Sequence, residues 1–111
     1  MITYDPKNLF IGTLTDAAIA VVEDIEVGSV VMVHTIHLHN TGASAEVVTI
    51  QHFDGTDAFT NETIDLAIGE TKYLDFGNEG RVFNATQELR MSASATGVVV
   101  ADVAGSERTV T

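Results

Sequence analysis

The chain has 111 residues, no cysteine and a single proline. That length predicts one domain, and the missing cysteines exclude a disulfide framework, a thiolate metal site and a thiol nucleophile. Asp and Glu number 16 against 5 Lys and Arg, a formal charge of −11; so few cations cannot neutralise many phosphates, and nucleic acid is not an expected partner.

The hydrophobic fraction of 45% is too high for a disordered acidic tail. The acids are scattered rather than blocked, which predicts a soluble, self-repelling surface. Folding in a reducing cytosol fits the cysteine usage. The opening "MITYDPKNLF" lacks a basic segment followed by a long apolar run, so no cleaved leader is expected. The longest apolar stretches, "AAIAVV" and "GVVVA", fall far short of the roughly 20 residues that span a bilayer. No membrane partner is therefore expected.

Taken in chain order, the local chemistry reads as β almost throughout. An N-terminal arm of about residues 1–8 precedes short strands at 9–15, "LFIGTLT", and 17–23, "AAIAVVE". "VGS" turns into a long strand over 30–39, and "NTGAS" forms a loop rich in turn residues. "EVVTIQHF" at 46–53 is expected to pair with the preceding strand as a hairpin. "DGTD" is a turn. "ETIDLAI" then alternates, with Ile64, Leu66 and Ile68 on one face. "ETKYLDF" at 70–76 and the turn cluster "GNEG" follow.

Residues 83–90 are the one place where a helical turn is plausible. "ELRMSASA" gives the cleanest pattern: Leu89, Met91, Ala93 and Ala95 point one way, and Glu88, Arg90, Ser92 and Ser94 the other. "VVVADVA" at 98–104 leads to a tail, about 105–111, expected to be mobile unless something holds it. About eight short antiparallel strands with turns between them predict an all-β, jelly-roll-like sandwich in a single domain spanning 1–111.

Three of the four histidines lie in "VVMVHTIHLHN". A side-chain period of two places His34 with Ile36 and Leu38, and His37 with His39 on the opposite face. Without a bulge the three cannot converge. His34 is then expected in the core, and His37 and His39 on a partly exposed face.

A His-x-His pair can still supply two metal ligands, as on cupin frameworks. That pattern does not continue: the first acid after His39 is Glu46, and the proline- and glycine-bearing second cupin motif is missing, Pro6 being the only proline. His37 and His39 are the only metal candidates, and the spacing gives no third or fourth ligand. No metal or cofactor is expected. No serine sits in a nucleophile elbow, so no catalytic residue is assigned. "DGTD" lacks the acidic series of an EF-hand loop. "NET" and "NAT" match glycosylation sequons, and with no leader expected they are read as chance matches.

A longer pattern runs from residue 26 to 104. It comprises Asn40 to Ala45 ("NTGASA"), Val48 to Ile50, Gly69 to Thr71 before Leu74 and Asp75, Ala93 to Ala95, and a closing valine-rich strand. It resembles small β-sandwich structural proteins of tailed bacteriophages. Length, acidity and the absence of cysteine are similar to the capsid decoration, or cement, proteins of short-tailed enterobacterial phages.

That resemblance implies a non-enzymatic virion protein. It would bind the outer capsid surface as a homodimer, staple neighbouring major capsid protein subunits and assemble in the host cytoplasm. A phage tail, collar or fibre-associated module is the alternative, and a cupin-like metal-binding protein the second. For a binder of this kind, Tyr4 and Phe10 are expected as anchors in a neighbour's pocket or as caps on the protein's own sandwich. His37 and His39 complete the expected interface residues.

Overall fold

A computed structural model describes residues 1–110. Nine strands form two antiparallel sheets: β1 (Ile2–Thr13), β2 (Ile19–Val22), β3 (Ser29–Asn40), β4 (Glu46–Phe53), β5 (Ala58–Leu66), β6 (Thr71–Asp75), β7 (Arg81–Phe83), β8 (Glu88–Ala93) and β9 (Val99–Val110). The larger sheet runs β1-β9-β3-β6, with β7 also paired to β3; the smaller runs β2-β8-β4-β5. The chain crosses repeatedly from one sheet to the other, and the two faces close as a jelly-roll-like sandwich.

Alternation builds the core. Leu89, Met91 and Ala93 of β8, Val48 and Ile50 of β4, Ile64 and Leu66 of β5, and Val99, Ala101 and Val103 of β9 are buried, while their sequence neighbours face out. Each such aliphatic side chain contributes about 1.5–3 kcal/mol by leaving water. Ile68 lies past the end of β5 and is exposed, so its expected place beside Leu66 does not hold.

The strands at 30–39 and 46–53 do not form a hairpin. β3 and β4 belong to different sheets, and the buried Asn40 is the reason. Its Nδ2 donates to the carbonyls of Ser44, Leu66 and Ala67, and its Oδ1 accepts from Gly42 N–H at 2.9 Å. These bonds fix an arch that carries the chain across the sandwich. The "DGTD" turn does join β4 to β5, with Asp54 Oδ1 accepting from Thr56 and Asp57 N–H at 2.8 Å each. Residues 84–87 form a tight turn, not a helical segment, closed by Gln87 N–H donating to Asn84 O.

The termini are also more ordered than the sequence suggests. Residues 105–110 continue β9, held on one side by Ile2–Lys7 and on the other by Ser29–Val33. The expected arm of residues 1–8 is the first part of β1. Thr111 of the expected tail lies outside the described residues. Strands β1, β3 and β9 have 12 residues each, so three of the nine are long.

Gly105 sits where these three strands bend. β1 carries an extra residue at Leu9, between the partners of Ala104 and Val103, and β3 one at His34, between the partners of Gly105 and Ala104. A Cβ on Gly105 would lie 2.0 Å from the Met32 carbonyl oxygen. Only glycine admits that approach. Each bulge shifts the alternation of its strand by one residue.

At about 3.3 Å per residue, the 12-residue strands outrun the strands of the smaller sheet. Residues 2–8 of β1 are exposed on both faces and form an overhang with the paired end of β9. The molecule measures 49 × 27 × 19 Å as a result.

Candidate interaction surface

The bulge at His34 redraws the histidine strand. Ser29, Val31 and Val33 face the core before it; Ile36, Leu38 and Asn40 face the core after it. His34 therefore does not share a face with Ile36 and Leu38 and is not a core residue. Its Nδ1 lies 3.0 Å from Gly77 O and its Nε2 3.0 Å from Ser106 Oγ. The ring ties the turn at 77–80 to β9 across the bulge. The fixed parity of an unbroken strand concealed this, because the bulge lies in the pairing of β3 with β9, about seventy positions along the chain.

His37 and His39 do lie on the outer face. His37 is exposed and meets the Tyr73 ring edge-on at 4.3 Å between centroids. His39 Nδ1 lies 2.7 Å from Thr71 Oγ1. The three rings thus share one side of the sheet, yet each is engaged with a different neighbour. Glu46, the acid nearest to them in sequence, lies on β4 in the other sheet, buried and bonded by the Ser94 hydroxyl. Among the described residues no group of three or more His, Cys, Asp or Glu is placed to hold a metal ion. No helix is long and apolar enough to cross a membrane.

The register assembles the outer face of the large sheet row by row. In the overhang, Ile2 lies beside Val110; Tyr4 beside Arg108 and Val30; and Pro6 beside Ser106, Met32 and Val82. Past the bulges, Ile11, Asp102, His37 and Tyr73 form one row, and Thr13, Val100, His39 and Thr71 the next. Tyr4 is 60% exposed, Ile11 67% and Tyr73 68%. Ile2, Val82 and Val110 are exposed as well. Apolar side chains thus recur along the whole length of this face.

The overhang is amphipathic in the unusual sense. Its inner side carries Thr3, Asp5 and Lys7 beside Thr109, Glu107 and Gly105. Its outer side carries Ile2, Tyr4 and Pro6. Sequence alternation contained this pattern, but only the bulges show that the apolar set points away from the core. The Arg108 Nε is buried there without a hydrogen-bond partner.

Phe10 behaves differently from Tyr4. It is half-buried against the core, and its ring lies over Gly12, where a Cβ would come within 3.1 Å of it. Of the two expected aromatic anchors, Tyr4 is presented outward and Phe10 is folded inward.

A groove opens on the side of the sandwich where β1 faces β2. Its volume is about 420 Å³. Leu9, Phe10, Val21, Val22, Ile25 and Val31 line it, with Glu23, Asp24, Lys7 and Glu107 also contributing. Lys7 Nζ and Glu107 Oε1 are 2.7 Å apart, and that bond holds the Lys7 pKa above its ordinary value. At the opposite side of the sandwich, Arg81 bonds Glu62 at 3.1 Å and stacks over Phe76, linking the two sheets.

No protein-family model matches the sequence, and no curated protein matches it. Solved structures match over nearly its whole length. A chain from Bacillus endospore appendages, a family of disulfide-linked pili, superposes with a TM-score of 0.61 at 14% identity, covering 99% of this chain and 89% of that one. The Tobacco streak virus coat protein gives 0.56 at 10% identity, covering 98% and 85%. A chain of infectious bursal disease virus gives 0.50 at 11%, and this protein spans only 32% of that chain. What these likenesses establish is a shared fold, a jelly-roll-like sandwich found in viral coat and pilus subunits alike.

Proposed function

We propose that the chain is a non-enzymatic virion structural protein. It would bind the outer surface of a phage capsid as a homodimer and staple neighbouring major capsid protein subunits. The observation that carries this reading is the outer face of the large sheet. Apolar side chains there, Tyr4, Ile11 and Tyr73 foremost, stand on rigid ladder positions and lie open. Large apolar side chains left exposed at several places on one face fit a protein-binding surface.

The sandwich shared with a viral coat protein supports the reading at the level of fold. So does the set of turns and strand edges that resembles phage decoration proteins. A charge of −11 would favour a basic capsid patch and keep unassembled copies apart. A dimer gripping two capsid positions gains from effective concentration, so modest single contacts suffice.

The test is co-sedimentation of purified protein with decoration-free capsids. Stoichiometric binding is expected, with shells that resist heat better, and Tyr4→Lys should abolish it. Failure of the unaltered protein to sediment with any such capsid would overturn the reading.

A fibre- or tail-associated module is the second reading. The fold likeness to an appendage subunit favours it. With no cysteine, this chain could not be joined to its neighbours by disulfides. Copy number in a purified virion separates the two: hundreds for a capsid cement, few for a tail part.

A further inference from the structure

We infer that the groove between β1 and β2 is a docking pocket for a basic side chain, a lysine or arginine flanked by an aliphatic residue, on a partner protein. This rests on the reading of the chain as a binding protein, but not on which capsid it binds.

Three features point to that occupant. The first is shape and lining. The opening has a floor of Leu9, Val21, Val22 and Val31 between two sheet edges that barely meet. Such a floor suits an aliphatic stem. The second is charge. Glu23, Asp24 and Glu107 surround the floor, and its single cation, Lys7, is already bonded to Glu107. Asp5 and Glu26 also act on Lys7 electrostatically. An entering carboxylate would meet repulsion, whereas an ammonium or guanidinium would meet acceptors. Lysine and arginine lay their methylene stems along apolar surface while the charged head stays at the rim.

The third feature excludes the obvious alternative, an added β-strand on the free edge of β1. Pro6 has no N–H to offer, and the bulge at Leu9 breaks the regular edge. Both lie beside the groove. Recognition there must come through side chains entering the pocket and not through a new ladder. Asp24 holds a left-handed backbone, φ 56°, in the loop that follows β2.

The test uses the full chain, labelled at its Ile, Leu and Val methyls, titrated with the peptide Ac-Gly-Val-Lys-Val-Gly-NH2. Saturable shifts are expected at Leu9, Val22, Ile25 and Val31, weakening with salt. The Arg peptide should act alike. Peptides with Glu or norleucine at the centre should not. Glu23→Gln, which leaves the floor intact, should weaken the Lys peptide about fivefold, the effect of one partly exposed ion pair. Asp24→Asn, tolerated at positive φ, should do the same. Equal shifts from the norleucine peptide, shifts confined to the outer face, or none at all would overturn the inference. Capsid co-sedimentation is scored separately. Peptide binding without capsid binding sinks the capsid reading and leaves the pocket. Capsid binding without peptide binding does the reverse.

Discussion

The two halves of the large sheet are built from the same three strands but held by different forces. Past the bulges, β3 and β9 lie over the smaller sheet, and Ile36, Leu38, Val99, Ala101 and Val103 are buried in the core. Before them, β1 and β9 run on as an overhang in which residues 2–8 are exposed on both faces. The first half is fixed by apolar burial; in the second, β3 still buries Val31 and Val33, and only the β1–β9 overhang is held mainly by ladder hydrogen bonds. Individual ladder bonds contribute only about 0.5–1.5 kcal/mol net. A segment that keeps its apolar side chains in water under those terms is better placed to bind than to stabilise.

That contrast can be broken most severely at its joint. Gly105→Val would drive a side chain into the Met32 carbonyl. We expect a loss of about 4 kcal/mol or more, because the Met32 carbonyl is backbone within the β3–β9 ladder and cannot move aside; urea unfolding would show it as a collapsed midpoint. Inside the covered half, Leu66→Ala should cost about 2–5 kcal/mol by the same measurement. At the arch, Asn40→Ala removes the side-chain donor to the carbonyls of Ser44, Leu66 and Ala67, the last of which keeps the Glu70 N–H. About 1–3 kcal/mol should be lost there.

The overhang should respond in the opposite sense. Tyr4→Lys ought to leave the unfolding midpoint within about 0.5 kcal/mol of the parent while removing capsid co-sedimentation. A large stability loss from Tyr4→Lys would show that the overhang packs more firmly than its exposure indicates.

The smallest effect concerns acid. Bonds from the Asp57 and Thr56 N–H groups hold the Asp54 carboxyl below the usual carboxylate pKa. A depressed folded-state pKa contributes stability above the unfolded value, about 3.9, and loses it as pH falls through the folded value. Asp54→Asn should therefore be slightly less stable at neutral pH and show a shallower decline below about pH 4. Thermal unfolding at stepped pH would measure the difference.

Local pattern made much of this legible. Leu89, Met91 and Ala93 declared their face because β8 is short and unbulged over those residues where it meets β4. The "DGTD" turn was readable because Asp54 bonds residues only two and three positions on. What could not be read depends on distant partners. His34 does not follow the strand's parity because its bulge lies in the register of β3 against the distant β9. The arch after β3 looked like a hairpin because the side-chain partners of Asn40, apart from Ser44 and Gly42, lie at the end of β5 and just past it. The ordered tail was missed because "GSERTV" has weak strand chemistry of its own and is held on both sides by strands far away in sequence. Of the expected interface residues, Tyr4, His37 and His39 lie on the outer face, while Phe10 lines the groove.

The sheet order carries one more consequence, for the timing of assembly. β1 is made before the other strands described, yet its ladder partner among the described residues is β9, the last of them. Every residue between them must be synthesised before Ile2 can meet Val110. Closing a contact of that sequence separation is slow compared with forming the β4–β5 hairpin. A ribosome-bound chain would therefore trail an unpaired, partly apolar strand throughout translation. Pro6 and the kink at Leu9, which blunt that strand in the finished molecule, would guard the nascent one as well.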